Sequence, residues 1–404
     1  MSFPGKTIVT VAAAVPLLVA APVEAQYTCP LPAPAGAPLC GNPEFQSCRI
    51  DVPVGGGGAP VPRHFCIHVP AAPPSMEFPV IFAFHGGGGD GGVMVAIWDK
   101  HTEQGMVLIA PSALPSRAGC TTRWRTIDRQ SLNWSDFTVV DPCPPMAPLG
   151  HDLALVDAIA QDLIAQGIQP QGFYAAGFSS GAGMVHQLFI TERYADRFAG
   201  FAAIGVPIDN PQKDAQAAAV GAGPLQPNHH IKKPILVAMG TSDKGFAPWE
   251  NLVESVDDVL VPSNACPAIT SAADVVACYR DHPTFPGLGK NFVIAPLEDT
   301  ADWYVAHNNS IERGLESLYP DLGHGSSFTE LRDATVAVRH DFPQRPGVED
   351  SAAVARITIV DGGHTWPGHN GNAPPCRSEN CDIDTTEEIL QFWRANAGLQ
   401  AIWP

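Results

Sequence analysis

A serine stands between glycines in Gly177-Phe178-Ser179-Ser180-Gly181, with an apolar run before it and a helical pattern after it. Strand, then Gly-x-Ser-x-Gly, then helix is the order that makes a sharp turn and lifts a hydroxyl clear of a sheet. The glycines are needed because a bulky side chain beside such a turn has no room. The same turn aims the Ser180 N–H, at a helix start, toward an oxygen that gains negative charge. A second glycine cluster, His85-Gly86-Gly87-Gly88-Gly89-Asp90, follows the apolar run 79–84. At that position backbone N–H groups can complete an oxyanion hole, with Gly87 the first choice of donor and His85 a support for the loop. The competing reading of each cluster is a plain glycine turn, as expected at Gly55–Gly58.

Two further residues fit the same chemistry. Asp243 ends Gly240-Thr241-Ser242-Asp243 just past the run 234–239, and His364 lies in Gly362-Gly363-His364-Thr365-Trp366-Pro367-Gly368 just past 356–360. Open α/β sheets build their sites at strand C-termini, where both residues are expected. In the order Ser179, Asp243, His364, the imidazole would take the serine proton and the aspartate would fix its tautomer and stabilise the imidazolium. Asp257, Asp258 and Asp361 are rival acids, the first two in an apparent insertion and the third uncomfortably near His364. Trp134 and Trp366 are candidate pocket walls, against the commoner fate of a buried core tryptophan. HExxH and CxxC spacings are missing, so no metal is expected.

The elements that must carry these residues alternate. Apolar runs at 79–84, 106–110, 172–176, 200–204, 234–239 and 356–360 predict buried strands. A helical period runs from His151-Asp152 through Leu153, Leu155, Val156, Ile159, Leu163 and Ile164. A helix is also expected from about Gly181 to Glu192, and a capping box of Thr385 and Glu388 opens a last one through Phe392 and Trp393. The expected fold class is α/β: a mainly parallel sheet with helices on both faces, interrupted by an insertion over about 245–299 that could act as a lid.

Residues 1–25 carry Lys6, an apolar stretch from Thr7 through Ala21 and small residues before Gln26, the pattern of an export signal. A retained N-terminal anchor is the rival. Ten cysteines follow, and an even count in an exported chain predicts disulfides, paired between sequence neighbours as 29–40, 48–66, 120–143, 266–278 and 376–381. A formal net charge of −18 argues against nucleic-acid or anionic-membrane partners and says nothing about the reaction. Residues 26–404 are expected to form one catalytic domain.

Taken together, HGGGG at 85–89, GFSSG at 177–181, GTSD at 240–243 and GGHTWPG at 362–368 resemble the secreted esterase family of polyhydroxybutyrate depolymerases and bacterial feruloyl and acetylxylan esterases. His151-Asp152 opening its helix fits too, as does Thr300 to Trp303 running to Asn308-Asn309, similar to that family's helix between the acid and base loops. The resemblance implies an α/β-hydrolase domain without cofactor that cleaves esters through an acyl-enzyme, with Ser179, Asp243 and His364 at the triad positions. The stretch from Asp243 to His364 is longer than in compact members, which predicts a rebuilt pocket rim. No Thr-rich linker or surface-binding module is visible before Pro404, which weakens attack on solid polyester and leaves soluble oligomers open. The expectation is a secreted serine esterase acting on hydroxyalkanoate polyester or its oligomers. Removal of feruloyl or acetyl groups from plant polysaccharide is the alternative, and a non-catalytic binding protein on the same scaffold a distant third.

Overall fold

The computed structural model describes residues 28–29, 31–32, 40–54, 58–71, 77–114, 151–208, 230–240, 297–312, 315–318, 336–360, 363–368 and 383–400. Residues 1–25, read above as an export signal, residues 245–296 of the expected insertion, Trp134, Asp243, and the cysteines at 120, 143, 266, 278, 376 and 381 lie outside the described residues. Among those described, eleven strands form one sheet: β1 (Leu31–Pro32), β2 (Gln46–Val54), β3 (Gly58–His68), β4 (Glu77–Phe84), β5 (Val107–Pro111), β6 (Gln169–Phe178), β7 (Phe198–Ile204), β8 (Ile235–Gly240), β9 (Leu315–Leu318), β10 (Val336–Phe342) and β11 (Val354–Val360). The helices are α1 (Gly91–Trp98), α2 (His151–Ala165), α3 (Ser180–Ile190), α4 (Glu192–Arg197), α5 (Leu297–His307) and α6 (Thr385–Asn396), with a 3-10 turn at Asp99–Gln104.

The strand order is β1-β2-β3-β5-β4-β6-β7-β8-β11-β10-β9. From β5 to β11 every neighbouring pair is parallel, and antiparallel strands flank this core on both sides. Each expected apolar run is a strand here, and the reason is visible in how the runs bury. Phe78, Val80, Phe82 and Phe84 of β4 join one core layer while Ile81 and Ala83 join the other, and β8 divides the same way between Ile235, Val237, Met239 and Leu236, Ala238. A strand covered on both faces needs apolar side chains at every position, which is why these runs do not alternate with polar residues.

Helices α2, α3 and α5 cover the first face, and α1 and α6 the second. In α2 the buried stripe runs through Leu153, Leu155, Val156, Ile159, Ala160 and Leu163, whereas Ile164 points to solvent at 55% exposure, because Leu163 already takes the core position of that turn. On the second face Trp393 of α6 stacks at 6.3 Å on Trp98 of α1 and meets Tyr174 of β6 at 5.0 Å. Helix α6 starts from Asp384, not from a Thr385–Glu388 box: the Asp384 carboxylate accepts from the Thr386 and Glu387 N–H groups, so the aspartate one position earlier takes the cap. Asp384 also pairs with Lys100 of the 3-10 turn.

The disulfides correct the neighbour pairing. Cys29 bonds Cys48 and Cys40 bonds Cys66, with Cα–Cα distances of 5.1 and 5.7 Å. In the β2–β3 ladder Cys48 faces Phe65 and Ser47 faces Cys66. Successive side chains on a strand point to opposite faces, so Cys48 and Cys66 lie on different sides of the sheet and cannot meet. Each therefore takes a partner on its own side, Cys29 beside the first core layer and Cys40 within the second. Strands β2 and β3 pair antiparallel up to Val54↔Gly58, and the glycines between them, 55–57, lie outside the described residues. No helix among the described residues is long and apolar enough to cross a membrane.

Candidate active site

Chain direction around β4 decides where a site can form. From β4 the chain steps to β5 on one side, then returns to β6 on the other, so the order reverses between β4 and β6. Loops leaving the C-terminal ends of two such strands part and leave a crevice. The register Phe84↔Gly177 brings out the glycine loop at 85–90 and the serine turn side by side. Ile204 of β7 lies beside Phe178, and Gly240 of β8 beside Ile359 of β11, so all these strands end at one rim.

Ser179 sits at φ 53 and ψ −120, a left-handed conformation that costs a non-glycine residue about 1–3 kcal/mol. The surroundings impose it. A Cβ at Gly177 would collide with the Gly181 carbonyl, and one at Gly181 with the Phe84 and His85 carbonyls. With both glycines pressed onto backbone, the turn closes tightly, and the Ser179 N–H donates to the Ile204 carbonyl at 2.8 Å. Ser180 is the first residue of α3, so its N–H has no acceptor within the helix. Its Oγ is buried without a hydrogen-bond partner.

His364, on the loop after β11, places Nε2 2.8 Å from Ser179 Oγ. The loop is tied to α6: the Trp366 indole N–H donates to Thr386 Oγ1 at 3.2 Å, and the Thr385 N–H to the Pro367 carbonyl at 3.3 Å. Trp366 is only 4% exposed and meets Trp98 at 6.2 Å, so it buttresses the His364 loop and leaves little surface for a substrate. The Phe178 ring faces the imidazole at 5.0 Å. Asp243 follows the end of β8, which lies between β7 and β11. Helix α5, running between β8 and β11 as the Thr300–Asn309 pattern suggested, ends with Asn308 Nδ2 donating to the Lys233 carbonyl at 2.8 Å.

The glycine loop is pinned from below. The Ala113 N–H donates to His85 Nε2 at 2.9 Å, so the ring proton is on Nδ1, which donates to the Gly86 carbonyl at 2.6 Å. His85 therefore holds the loop as a neutral imidazole, and burial pushes its pKa below the ordinary 6.5. Gly87 itself is exposed at the tip of the turn. Burial lowers His64, His68 and His151 as well. Bases held neutral in the fold take up protons on unfolding, so the stability they share is full above about pH 6.5 and declines below it. Melting temperature is expected to fall steadily as pH drops from about 6.5 to 5; a flat or rising profile there would contradict the neutral assignment.

Arg63 carries no functional signal in the sequence, yet it organises the floor of this region. Its guanidinium pairs with Asp152 at 2.6 Å and donates to His151 Nδ1 at 2.9 Å and to the Ser112 carbonyl at 3.1 Å, with the Arg63 and Asp152 side chains 0% and 4% exposed. Ser112 precedes Ala113, and its Oγ accepts from the Gly91 N–H at 3.0 Å, so one buried cation ties β3, the end of β5 and α2 together beneath the glycine loop. Arg63→Met takes the buried cation away from the Asp152 carboxylate, 4% exposed, and is expected to cost about 3–5 kcal/mol in a denaturant melt. A loss below about 1 kcal/mol would show that the network is not an energetic anchor.

Among the described residues no group of three or more His, Cys, Asp or Glu side chains is placed to hold a metal ion. No family model and no curated protein matches the chain. Among solved structures it is similar to a thermostable esterase, at 18% identity over 54% of this chain and 52% of that one, with a TM-score of 0.34. The chain thus spans about half the length of that esterase. It is also similar to the S-formylglutathione hydrolase of Agrobacterium tumefaciens (17% identity, 53% of this chain, 82% of that one, TM-score 0.33) and to a phospholipase/carboxylesterase of Dyadobacter fermentans (20%, 47%, 78%, TM-score 0.30). With the serine elbow at the end of β6, the glycine loop at the end of β4 and helices on both faces, the architecture is an α/β-hydrolase fold.

Proposed function

We propose that the chain is an exported serine esterase that works through an acyl-enzyme, and that its substrate is a hydroxyalkanoate polyester or its oligomers. The observation that carries the reaction type is the 2.8 Å approach of His364 Nε2 to Ser179 Oγ on a strained strand-to-helix elbow. His364 takes the hydroxyl proton as Oγ attacks the ester carbonyl. The Gly87 and Ser180 N–H groups receive the oxyanion, and Asp243 orients the imidazole and stabilises its charged form. The imidazolium then protonates the leaving alcohol. Water, activated by the same nitrogen, attacks the acyl group and frees Ser179. No cofactor enters these steps. Trp134 is the proposed pocket wall, with Trp366 behind the base loop. Export to an oxidising compartment suits the disulfides at 29–48 and 40–66, and the reading takes 26–404 as one catalytic domain.

The substrate reading rests on the GGHTWPG and HGGGG resemblance, which extends equally to feruloyl and acetylxylan esterases. Products released from polyhydroxybutyrate film and its soluble oligomers, set beside those from feruloylated arabinoxylan, separate the two. Hydroxybutyrate and its short oligomers are expected. Release of ferulate alone would move the chain to plant-polysaccharide esters, and cleavage of neither, with p-nitrophenyl butyrate still hydrolysed, would remove the substrate class and leave the chemistry standing.

A further inference from the structure

We propose that Phe178, the residue between glycine and serine in the elbow, is a positioning residue for His364 whose ring face favours the imidazolium formed as Ser179 gives up its proton. This deepens the function proposed above and rests on it. The two rings have centroids 5.0 Å apart and planes 32° from parallel, so the imidazole lies toward the face of the phenyl ring and not its edge. An aromatic face is the negative side of the ring quadrupole, and it attracts a cation held within about 6 Å of the centroid. In the proposed mechanism His364 gains positive charge as it takes the Ser179 proton. The attraction is therefore stronger in the transition state than in the resting enzyme, the condition for it to raise kcat and not merely tighten binding.

The Phe178 ring has little freedom to turn away. A Cβ at Gly205 would come within 2.9 Å of Phe178 Cε2 and 3.3 Å of His364 Cε1, and one at Gly86 within 3.1 Å of Phe178 Cδ1. Gly205 is held at φ +80, open only to glycine, with its N–H on the Ala238 carbonyl at 2.7 Å. Trp366 meets the same ring edge-on at 6.4 Å. The imidazole is met by Ser179 from the start of α3, Phe178 from the end of β6, Gly205 from the end of β7 and, on the proposed reading, Asp243 from the loop after β8. Of these, Asp243 is the ionisable side chain. An aliphatic side chain at 178 would keep the packing and lose the quadrupole.

The test measures kcat and KM for p-nitrophenyl butyrate across pH. It compares the unaltered chain, Phe178→Leu and chains carrying phenylalanines of increasing fluorination at position 178, with Ser179→Ala as control. Phe178→Leu is expected to lower kcat about 3- to 30-fold with KM little changed. It should also move the acid limb of kcat/KM to lower pH, because the ring face that favours the charged base is gone. Fluorine drains charge from the ring face with little change of shape, so kcat should fall stepwise along that series. Should Phe178→Leu misfold, the fluorinated chains decide alone. A fluorinated series with unchanged kcat and an unmoved acid limb overturns the proposal, whatever Phe178→Leu does. Activity surviving in Ser179→Ala is a separate result, which removes the function the proposal rests on.

Discussion

Ser179→Ala is expected to lower kcat for p-nitrophenyl butyrate by about four to six orders of magnitude. The loss is this large because the hydroxyl at 2.8 Å from His364 Nε2 is the proposed nucleophile, and without it only the oxyanion donors and binding remain. Residues that act as one unit are not additive, so His364→Ala should cost about as much, and the double variant little more than either alone. The elbow supplies an independent check on stability. Ser179 holds φ 53 against a cost of about 1–3 kcal/mol, which alanine keeps and glycine relieves. Ser179→Gly should therefore melt higher than Ser179→Ala while both are inactive. Equal melting temperatures would show that the turn stores no such strain, and substantial activity in either variant would remove the nucleophile assignment.

Asp243→Asn is the second large effect expected, a fall in kcat of about 10⁴-fold with KM and fold retained. An asparagine matches the carboxylate in shape. It cannot stabilise the imidazolium, and it can leave the imidazole in the wrong tautomer, with its proton on the nitrogen that must accept from Ser179. The proposal leans on the placement of β8 between β7 and β11, whose C-terminal ends flank the serine turn and carry the base loop. Near-normal turnover in Asp243→Asn would send the search to Asp361 or to the acids at 257 and 258.

What could be read from the chain was what depends on local pattern. Runs such as 79–84 and 234–239 are apolar at every position because both faces of the sheet are covered, so strand and parallel sheet could be inferred together. The glycines at 177 and 181 announced a turn because close backbone approach leaves no space for a side chain. What could not be read depends on which residues share a face across the fold. The partner of Cys48 is decided by strand parity, which puts its sequence neighbour Cys66 on the far side of the sheet. Arg63 and Asp152 are distant in sequence, and nothing local distinguishes that arginine from a solvated one until α2 packs against β2 and brings Asp152 to it. The role of Phe178 was hidden in the variable position of its motif, since its contact with His364 exists only once the loop after β11 folds back over β6. Helix boundaries slipped for a smaller reason: at the start of α6, Asp384 competed with Thr385 for the same unsatisfied N–H groups and took them.

The most direct test of the central claim is covalent. A p-nitrophenyl alkylphosphonate offers a phosphorus centre that the activated hydroxyl should attack, forming an Oγ–P bond and expelling p-nitrophenolate, with His364 receiving the proton. Peptide mapping by mass spectrometry should then find one adduct per chain, on Ser179, appearing in step with loss of esterase activity and absent from His364→Ala on the same timescale. An adduct on another residue that accounts for the lost activity, or full activity in a chain fully modified at Ser179, would contradict it.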